Sequence, residues 1–330
     1  MKKILFFATM LFCAGAVMAQ NEQTTAVLQH GDVVSVFKGI NALVDAYTAA
    51  EAGDVITLSS GTFTATTIAK SVSIYGASCV DDAENGVQQT RILSGFAVGL
   101  AEDTLRNIYF EGVFIQGSLD FIANSPIEEM VISKCWINGN LNFNSNITNV
   151  TISQSQTGTI TGIRTNTADN LLIRNCVVSG VIQQFALSSS VVIDHCIIGG
   201  TTNKYVDILA CFTYTNDIFS ANSCGRDEYF FARSGSTLDN CVYPNNTCWT
   251  SMSGDVVLRN CFDVDKNSIF SDTENFIITQ PETWIGNDST EIGVHGGLGW
   301  NRLPSTPVVK NLQLQVNGAT LNVTYDAEVR

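Results

Sequence analysis

An eight-residue phrase recurs through the middle of this chain, and it limits the possible folds more than any other feature. It reads FEGVFIQG at 110–117, ISKCWING at 132–139, ISQSQTGT at 152–159, IRNCVVSG at 173–180, IDHCIIGG at 193–200, YTNDIFSA at 214–221, LDNCVYPN at 238–245 and LRNCFDVD at 258–265. Successive copies start 22, 20, 21, 20, 21, 24 and 20 residues apart, a period typical of stacked repeats. Position one is apolar throughout: Phe110, Ile132, Ile152, Ile173, Ile193, Tyr214, Leu238 and Leu258. Position four is Val113, Cys135, Ser155, Cys176, Cys196, Asp217, Cys241 and Cys261, and position six is mostly Ile, Val or aromatic.

Positions four and six alternate as strand residues do. Positions one and four lie three apart and cannot both face inward from one straight strand. A tight corner with left-handed backbone at position three restores the inward direction. Asn and Gly tolerate that conformation, and position three holds Gly112, Lys134, Gln154, Asn175, His195, Asn216, Asn240 and Asn260. The expected unit is a short strand, a corner, a second short strand, a turn and a closing stretch, burying its core only by stacking on its neighbours. Leucine-rich repeats have a similar period, but here Ile and Val dominate and no 3.6-residue pattern separates the phrases. The expectation is an all-β, single-stranded right-handed parallel β-helix of about ten to eleven coils.

The sequence of 330 residues is 45% hydrophobic and 15% charged, which excludes a disordered chain. Lys2 and Lys3, an apolar stretch from Ile4 to Val17 and the small-residue end Val17-Met18-Ala19 predict a secretory signal over 1–19. Cys13 follows Phe12, a poor fit to a lipoprotein cleavage site. No later apolar run is long enough to span a bilayer. Losing the two lysines takes the formal charge from −14 to −16, which argues against nucleic acid and anionic membranes as partners. The expected protein is exported to the periplasm, the outer surface or the medium, and is monomeric.

Residues 38–78, KGINALVDAYTAAEAGDVITLSSGTFTATTIAKSVSIYGAS, contain a short helix pattern followed by Gly53-Asp54, Ile56, Leu58, Gly61, Phe63 and the run Ser71 to Gly76. This opening resembles that of right-handed parallel β-helix proteins of the pectate-lyase-like superfamily, and the resemblance covers roughly residues 36–300. TEIGVHGGLGW at 290–300 resembles the end of β-helix domains in exported proteins of Bacteroidetes-type bacteria. The resemblance implies the fold and leaves the activity open. Independently, Ile40, Leu43, Val44 and Tyr47 form an apolar face at helical spacing, and a helix there would cover the first coil, whose open edge would otherwise recruit other chains. The final stretch alternates as two strands around Asn317-Gly318, a hairpin signal. The expected organisation is a signal at 1–19, a lead-in at 20–36, a β-helix at 37–303 and a β-hairpin module at 304–330 serving as a cap or an attachment element; a truncated larger module also fits.

Nine cysteines follow the signal, at 79, 135, 176, 196, 211, 224, 241, 248 and 261. Five occupy position four, and no C-x₂₋₄-C pair suggests a metal site. In-register parallel side chains point the same way, so a ladder of small buried thiols is expected. Cys241 with Cys248, or Cys211 with Cys224, are better placed for disulfides.

Asp194-His195 within VVIDHC resembles the W-I-D-H segment of pectate lyases, but the tryptophan and a downstream R-x-P-R are missing. His195 falls in the corner column, so a structural role is expected. Galacturonase signatures with their paired carboxylates are absent, as is a serine nucleophile motif beside a histidine. Gly296-Gly297 lacks the lysine and helix of a phosphate loop. The densest polar stretch, Asn203 to Arg233, carries Lys204, Asp207, Asp217, Arg226, Asp227, Glu228 and Arg233. A polysaccharide lyase needs a base such as Lys or Arg and a cation to neutralise the uronate. Lys204, Asp207, Asp217, Arg226 and Arg233 are the candidate catalytic residues, and Asp207, Asp227 and Glu228 the candidate ligands for Ca²⁺. The competing reading is a solvated loop. Trp136, in an outward position, is the candidate for stacking on a sugar ring, whereas Trp249, Trp284 and Trp300 have no assigned place. Two functions therefore stand: a noncatalytic exported protein binding polysaccharide or a cell-surface glycan, and a pectate-lyase-like polysaccharide lyase acting on a uronate-containing polymer.

Overall fold

A computed structural model describes residues 24–83, 86–100, 103–186, 188–200, 202–203, 212–220, 229–230, 236–245, 256–305, 308–317 and 320–328, the short 202–203 and 229–230 segments and the last two ranges by their backbone. The predicted signal peptide lies outside the described residues. Among those described, no helix is long and apolar enough to cross a membrane.

The chain winds as a right-handed parallel β-solenoid with three sheets. The first sheet stacks ten parallel strands from Val55–Leu58 to Val257–Arg259, extended at its N-terminal edge by the antiparallel hairpin Thr25–His30 and Val33–Lys38. The second has ten strands, from Gly61–Thr64 to Phe262–Val264, and the third only six, from Thr67–Ile68 to Ile182–Gln183. The winding amounts to about eight turns, fewer than the ten to eleven expected, and among the described residues the third sheet ends at Gln183.

The repeat phrase sets the register. Phe110, Ile132, Ile152, Ile173, Ile193, Tyr214, Leu238 and Leu258 lie directly opposite one another down the first sheet. Ile56 and Ile74 extend the ladder two rungs upstream of the first phrase. All eight position-three residues are left-handed, with φ between 46° and 69°. Lys134, Gln154 and His195 adopt this conformation too, so stacking imposes the corner even where the side chain disfavours it. A second left-handed column, Asn107, Glu129, Asn149 and Asn170, lies inside the first-sheet strands. It obeys the same rule, turning Leu105 and Ile108 inward although they are three apart.

The position-four side chains do more than fill space. Left-handed corners aim backbone N–H groups along the stack, and buried N–H groups need acceptors. Cys135 N–H donates to Ser155 Oγ at 3.1 Å, Cys176 N–H to Cys196 Sγ at 3.4 Å, and Cys196 N–H to Asp217 Oδ1 at 2.6 Å. The side chains also donate two residues back: Cys135 to the Ser133 carbonyl (3.2 Å), Ser155 to Ser153 (2.8 Å) and Cys196 to Asp194 (3.3 Å). The expected column of small hydrophobes is therefore a relay of short donor–acceptor groups, which explains how Cys, Ser and Asp share one position. Cys79, Cys135, Cys176, Cys196, Cys241 and Cys261 are free thiols; Cys211, Cys224 and Cys248, and with them both suggested disulfides, lie outside the described residues.

Helix α1 (Ala42–Ala49) closes the N-terminal end, burying Ala42, Leu43, Ala46 and Tyr47. Ile40, expected on that face, is 50% exposed, because the helix starts two residues after it. Lys70 Nζ donates to the carbonyls of Tyr47, Thr48 and Ala50 at 3.1, 3.2 and 2.8 Å, neutralising the helix C-terminus. The hairpin read from Asn317-Gly318 is present as Val308–Asn317 paired with Thr320–Glu328 in a sheet of its own.

Candidate functional site

The outer face of the second sheet is covered. Position five there holds Phe114, Trp136, Gln156, Val177, Ile197, Ile218, Val242 and Phe262, and a strand that is apolar on both faces needs cover on both. Ile269, Ile278, Trp284, Ile292 and Val294 from the segment after the last repeat pack on Val177, Ile197, Ile218 and Val242 as a second core.

From this core the chain runs back along the corner column as a strap. Asn216 and Asn287 exchange hydrogen bonds, Nδ2 to Oδ1 at 3.0 Å and backbone N–H to Oδ1 at 3.0 Å. Asn175 Nδ2 donates to the carbonyls of Val294 (2.9 Å) and Gly296 (2.6 Å). Gln154 donates to the Gly299 carbonyl at 2.9 Å, and Lys134 Nζ to Ser305 Oγ at 2.9 Å. At the far end the Ser305 N–H donates to Glu111 Oε1 at 2.6 Å, while Tyr109 OH donates to Oε2 at 2.6 Å. Burial, then Glu111, pushes the Tyr109 hydroxyl far up its titration range, and burial lowers the Lys134 ammonium. The glycines in GVHGGLGW follow from this docking: a Cβ on Gly296 would collide with the Glu291 carbonyl and the His195 ring.

Under the strap, one cluster has the outline of a catalytic triad. His195 Nδ1 lies 2.9 Å from Asp194 Oδ1, and Nε2 lies 3.1 Å from Thr290 Oγ1. Its surroundings oppose acyl transfer. His195 is 1% exposed, and the Thr290 hydroxyl already donates to Asp288 Oδ1 (2.8 Å) and accepts from Gly297 N–H (2.8 Å). The nearby amides of Gly296, Leu298 and Gly299 are all committed, leaving no free pair for an oxyanion. Burial would raise the Asp288 carboxyl, but hydrogen bonds from Thr290 and the charge of His195 hold it below its ordinary value. The pair Asp194-His195 thus serves the corner, as its column predicts.

Of the other sequence candidates, Asp217 is fully buried in the thiol column, where its oxygens accept from the N–H groups of Cys196 (2.6 Å) and Thr215 (3.1 Å). Burial pushes its carboxyl well up despite those bonds. No polymer reaches it, and its place is structural. Trp136 is half-buried, with the Arg302 guanidinium 5.1 Å over its ring and Phe114 edge-on at 5.0 Å. Arg302 also lies 5.4 Å from the Trp300 ring, so Trp136 is part of the strap's anchorage and not an open stacking platform. Lys204, Asp207, Arg226, Asp227, Glu228 and Arg233 lie outside the described residues. Among the described residues of this stretch, Thr202–Asn203 pairs antiparallel with Tyr229–Phe230. Among the described residues no group of three or more His, Cys, Asp or Glu is placed to hold a metal.

A cleft of about 350 Å³ opens between the second sheet and the covering segment, lined by Ile197, Ser220, Lys266, Asn267, Phe270, Thr273 and Phe276. Phe270 and Phe276 stand at 6.5 Å with a T-shaped angle of 72°. Phe276 is left-handed at φ 60°, rare for a bulky residue, and stacks edge-on against Trp300 at 6.1 Å. Half-buried aromatic edges flanked by ammonium, amide and hydroxyl groups suit a polar ligand with apolar faces. Sequence reasoning missed this cleft because most of its walls, Lys266 to Phe276, come from after the last repeat; the signal was the density of Phe residues at 262, 270 and 276. Comparison with family models, with curated proteins and with solved structures finds no match for the chain.

Proposed function

We propose that this β-solenoid is an exported, noncatalytic member of the pectate-lyase-like superfamily, of the type found in Bacteroidetes-type bacteria, that binds polysaccharide or a cell-surface glycan. The cleft beside Phe270 and Phe276 is the site. The observation that carries this reading is its lining: two aromatic edges with Lys266, Asn267, Ser220 and Thr273, and no carboxylate or histidine among the residues named there. Such a set of described residues can orient a sugar ring and hydrogen-bond its hydroxyls, and no general acid–base pair is among them. A glycan array probed with the mature chain, followed by calorimetry on any hit, tests it. Phe276→Ala is expected to weaken binding at least about tenfold, the loss of one stacking contact in a small site. Failure of the wild-type chain to retain any glycan, or binding unaffected by both Phe270→Ala and Phe276→Ala, overturns the proposal.

The lyase reading keeps one supporting observation, the antiparallel pairing of Thr202–Asn203 with Tyr229–Phe230, which adjoin Lys204 and Glu228 in the sequence. In that reading Lys204, Asp207, Arg226 and Arg233 supply the catalytic groups, with Asp207, Asp227 and Glu228 as Ca²⁺ ligands. Ultraviolet absorbance of unsaturated uronate, followed with and without Ca²⁺ on uronate-containing polymers, decides it. A signal abolished by Lys204→Ala or Arg233→Ala supports it, and silence across the panel rejects it.

A further inference from the structure

The N-terminal cap covers the core of the first coil but leaves an edge. Helix α1 seals the interior, while the hairpin Thr25–His30 and Val33–Lys38 extends the first sheet, and Val33–Lys38 is its terminal strand. On that strand Val33, Val34 and Val36 are 63%, 60% and 56% exposed. An apolar edge whose backbone groups are unpaired among the described residues is a template for another strand. The C-terminal hairpin does not fill the position, since it forms a separate two-stranded sheet.

We propose that this edge pairs antiparallel with the same strand of a second copy, forming a two-fold symmetric dimer. Backbone groups alternate in direction along a strand, so an antiparallel pair of identical edges is allowed only where a residue faces its own equivalent. Centring on Ser35, the middle of the exposed stretch, sets Val34 opposite Val36 and Val33 opposite Phe37 of the second copy. The same register sets Asp32 opposite Lys38 at both ends. The side chains of Asp32 and Lys38 make no hydrogen bond or ion pair with the described residues, so the edge carries complementary charges that a second copy would pair. Six residues a side make a small interface, and a dissociation constant of roughly tens of micromolar is expected.

Sedimentation equilibrium of the mature full-length chain tests the proposal. The wild type is expected to show a reversible monomer–dimer equilibrium. Val34→Lys with Val36→Lys, both on exposed side chains, is expected to raise the dissociation constant by about a hundredfold or more with an unchanged far-ultraviolet spectrum and melting temperature. Asp32→Lys alone and Lys38→Asp alone are each expected to weaken the dimer, and the doubly exchanged D32K/K38D to restore it. That rescue is specific to the antiparallel register. A wild type that is monomeric at several hundred micromolar, a dimer insensitive to the valine changes, or single charge variants that the double exchange fails to rescue would each overturn the inference.

Discussion

The stacked coils and the strap that crosses them are built on opposite logic. Within the coils every residue is held by its equivalent one rung away, so Ile152, Ile173 and Ile193 meet identical surroundings and any rung resembles the next. Along Trp284–Ser305 the contacts do not repeat, and four residues have dedicated partners: Asn287 with Asn216, Thr290 with His195, Gly299 with Gln154, Ser305 with Glu111 and Lys134. Periodic packing defines the shape of the solenoid, whereas the aperiodic strap decides which of its faces stays open. The cleft beside Phe270 and Phe276 lies between the second sheet and the covering segment.

The largest expected effect tests the claim that the outer core is a true core. Trp284→Ala, at a fully buried position under the strap, is expected to lower stability by about 3–5 kcal/mol, measured by chemical denaturation, and to expose the strap to limited proteolysis. A loss below about 1 kcal/mol would mean that the strap is loosely applied and that only the coils matter.

A smaller effect probes the thiol column. Asp217→Ala strands the N–H groups of Cys196 and Thr215 and is expected to cost about 2 kcal/mol or more. The folded carboxyl titrates above its unfolded value, so the stability linked to its proton is full below the unfolded value near pH 3.8 and is lost as pH rises toward the folded one. The penalty of Asp217→Ala is therefore largest in acid and shrinks toward neutrality, which melting curves across pH would show. A penalty independent of pH would mean that Asp217 keeps an ordinary carboxyl.

The smallest effect concerns the corner. Lys134→Asn replaces a side chain that disfavours left-handed backbone with one that accepts it, but loses the 2.9 Å bond to Ser305. The two terms nearly cancel, and a change within about 1 kcal/mol is expected. A larger loss would show the strap bond to outweigh the corner.

What was legible in the sequence follows the same division. The Ile, Asn and Cys columns fixed register, corner and inward direction before any coordinates, down to His195 as a corner residue. The covered outer face is equally visible in the apolar run at position five, since Val177, Ile197, Ile218 and Val242 cannot all face water, but the outward position of Trp136 taken alone suggests a sugar platform and does not reveal what covers it. Ile40 was placed on the helix face because its spacing fits, although α1 begins at Ala42. The strap's partners were beyond reach: nothing local in GVHGGLGW states that its carbonyls meet Asn175 and Gln154 more than a hundred residues upstream. Asp217 carried the chemistry of a catalytic acid but the column of a cysteine, and the column decided.

The direction in which the strap travels has a kinetic consequence. For a chain whose coils form from the N-terminus, the contact between Ser305 and Glu111, which spans 194 residues, means that the earliest coils are locked last. A chain shortened at its C-terminal end would consequently loosen near its beginning, and a pause before the final fifty or so residues arrive would leave a complete spiral with its seam unzipped.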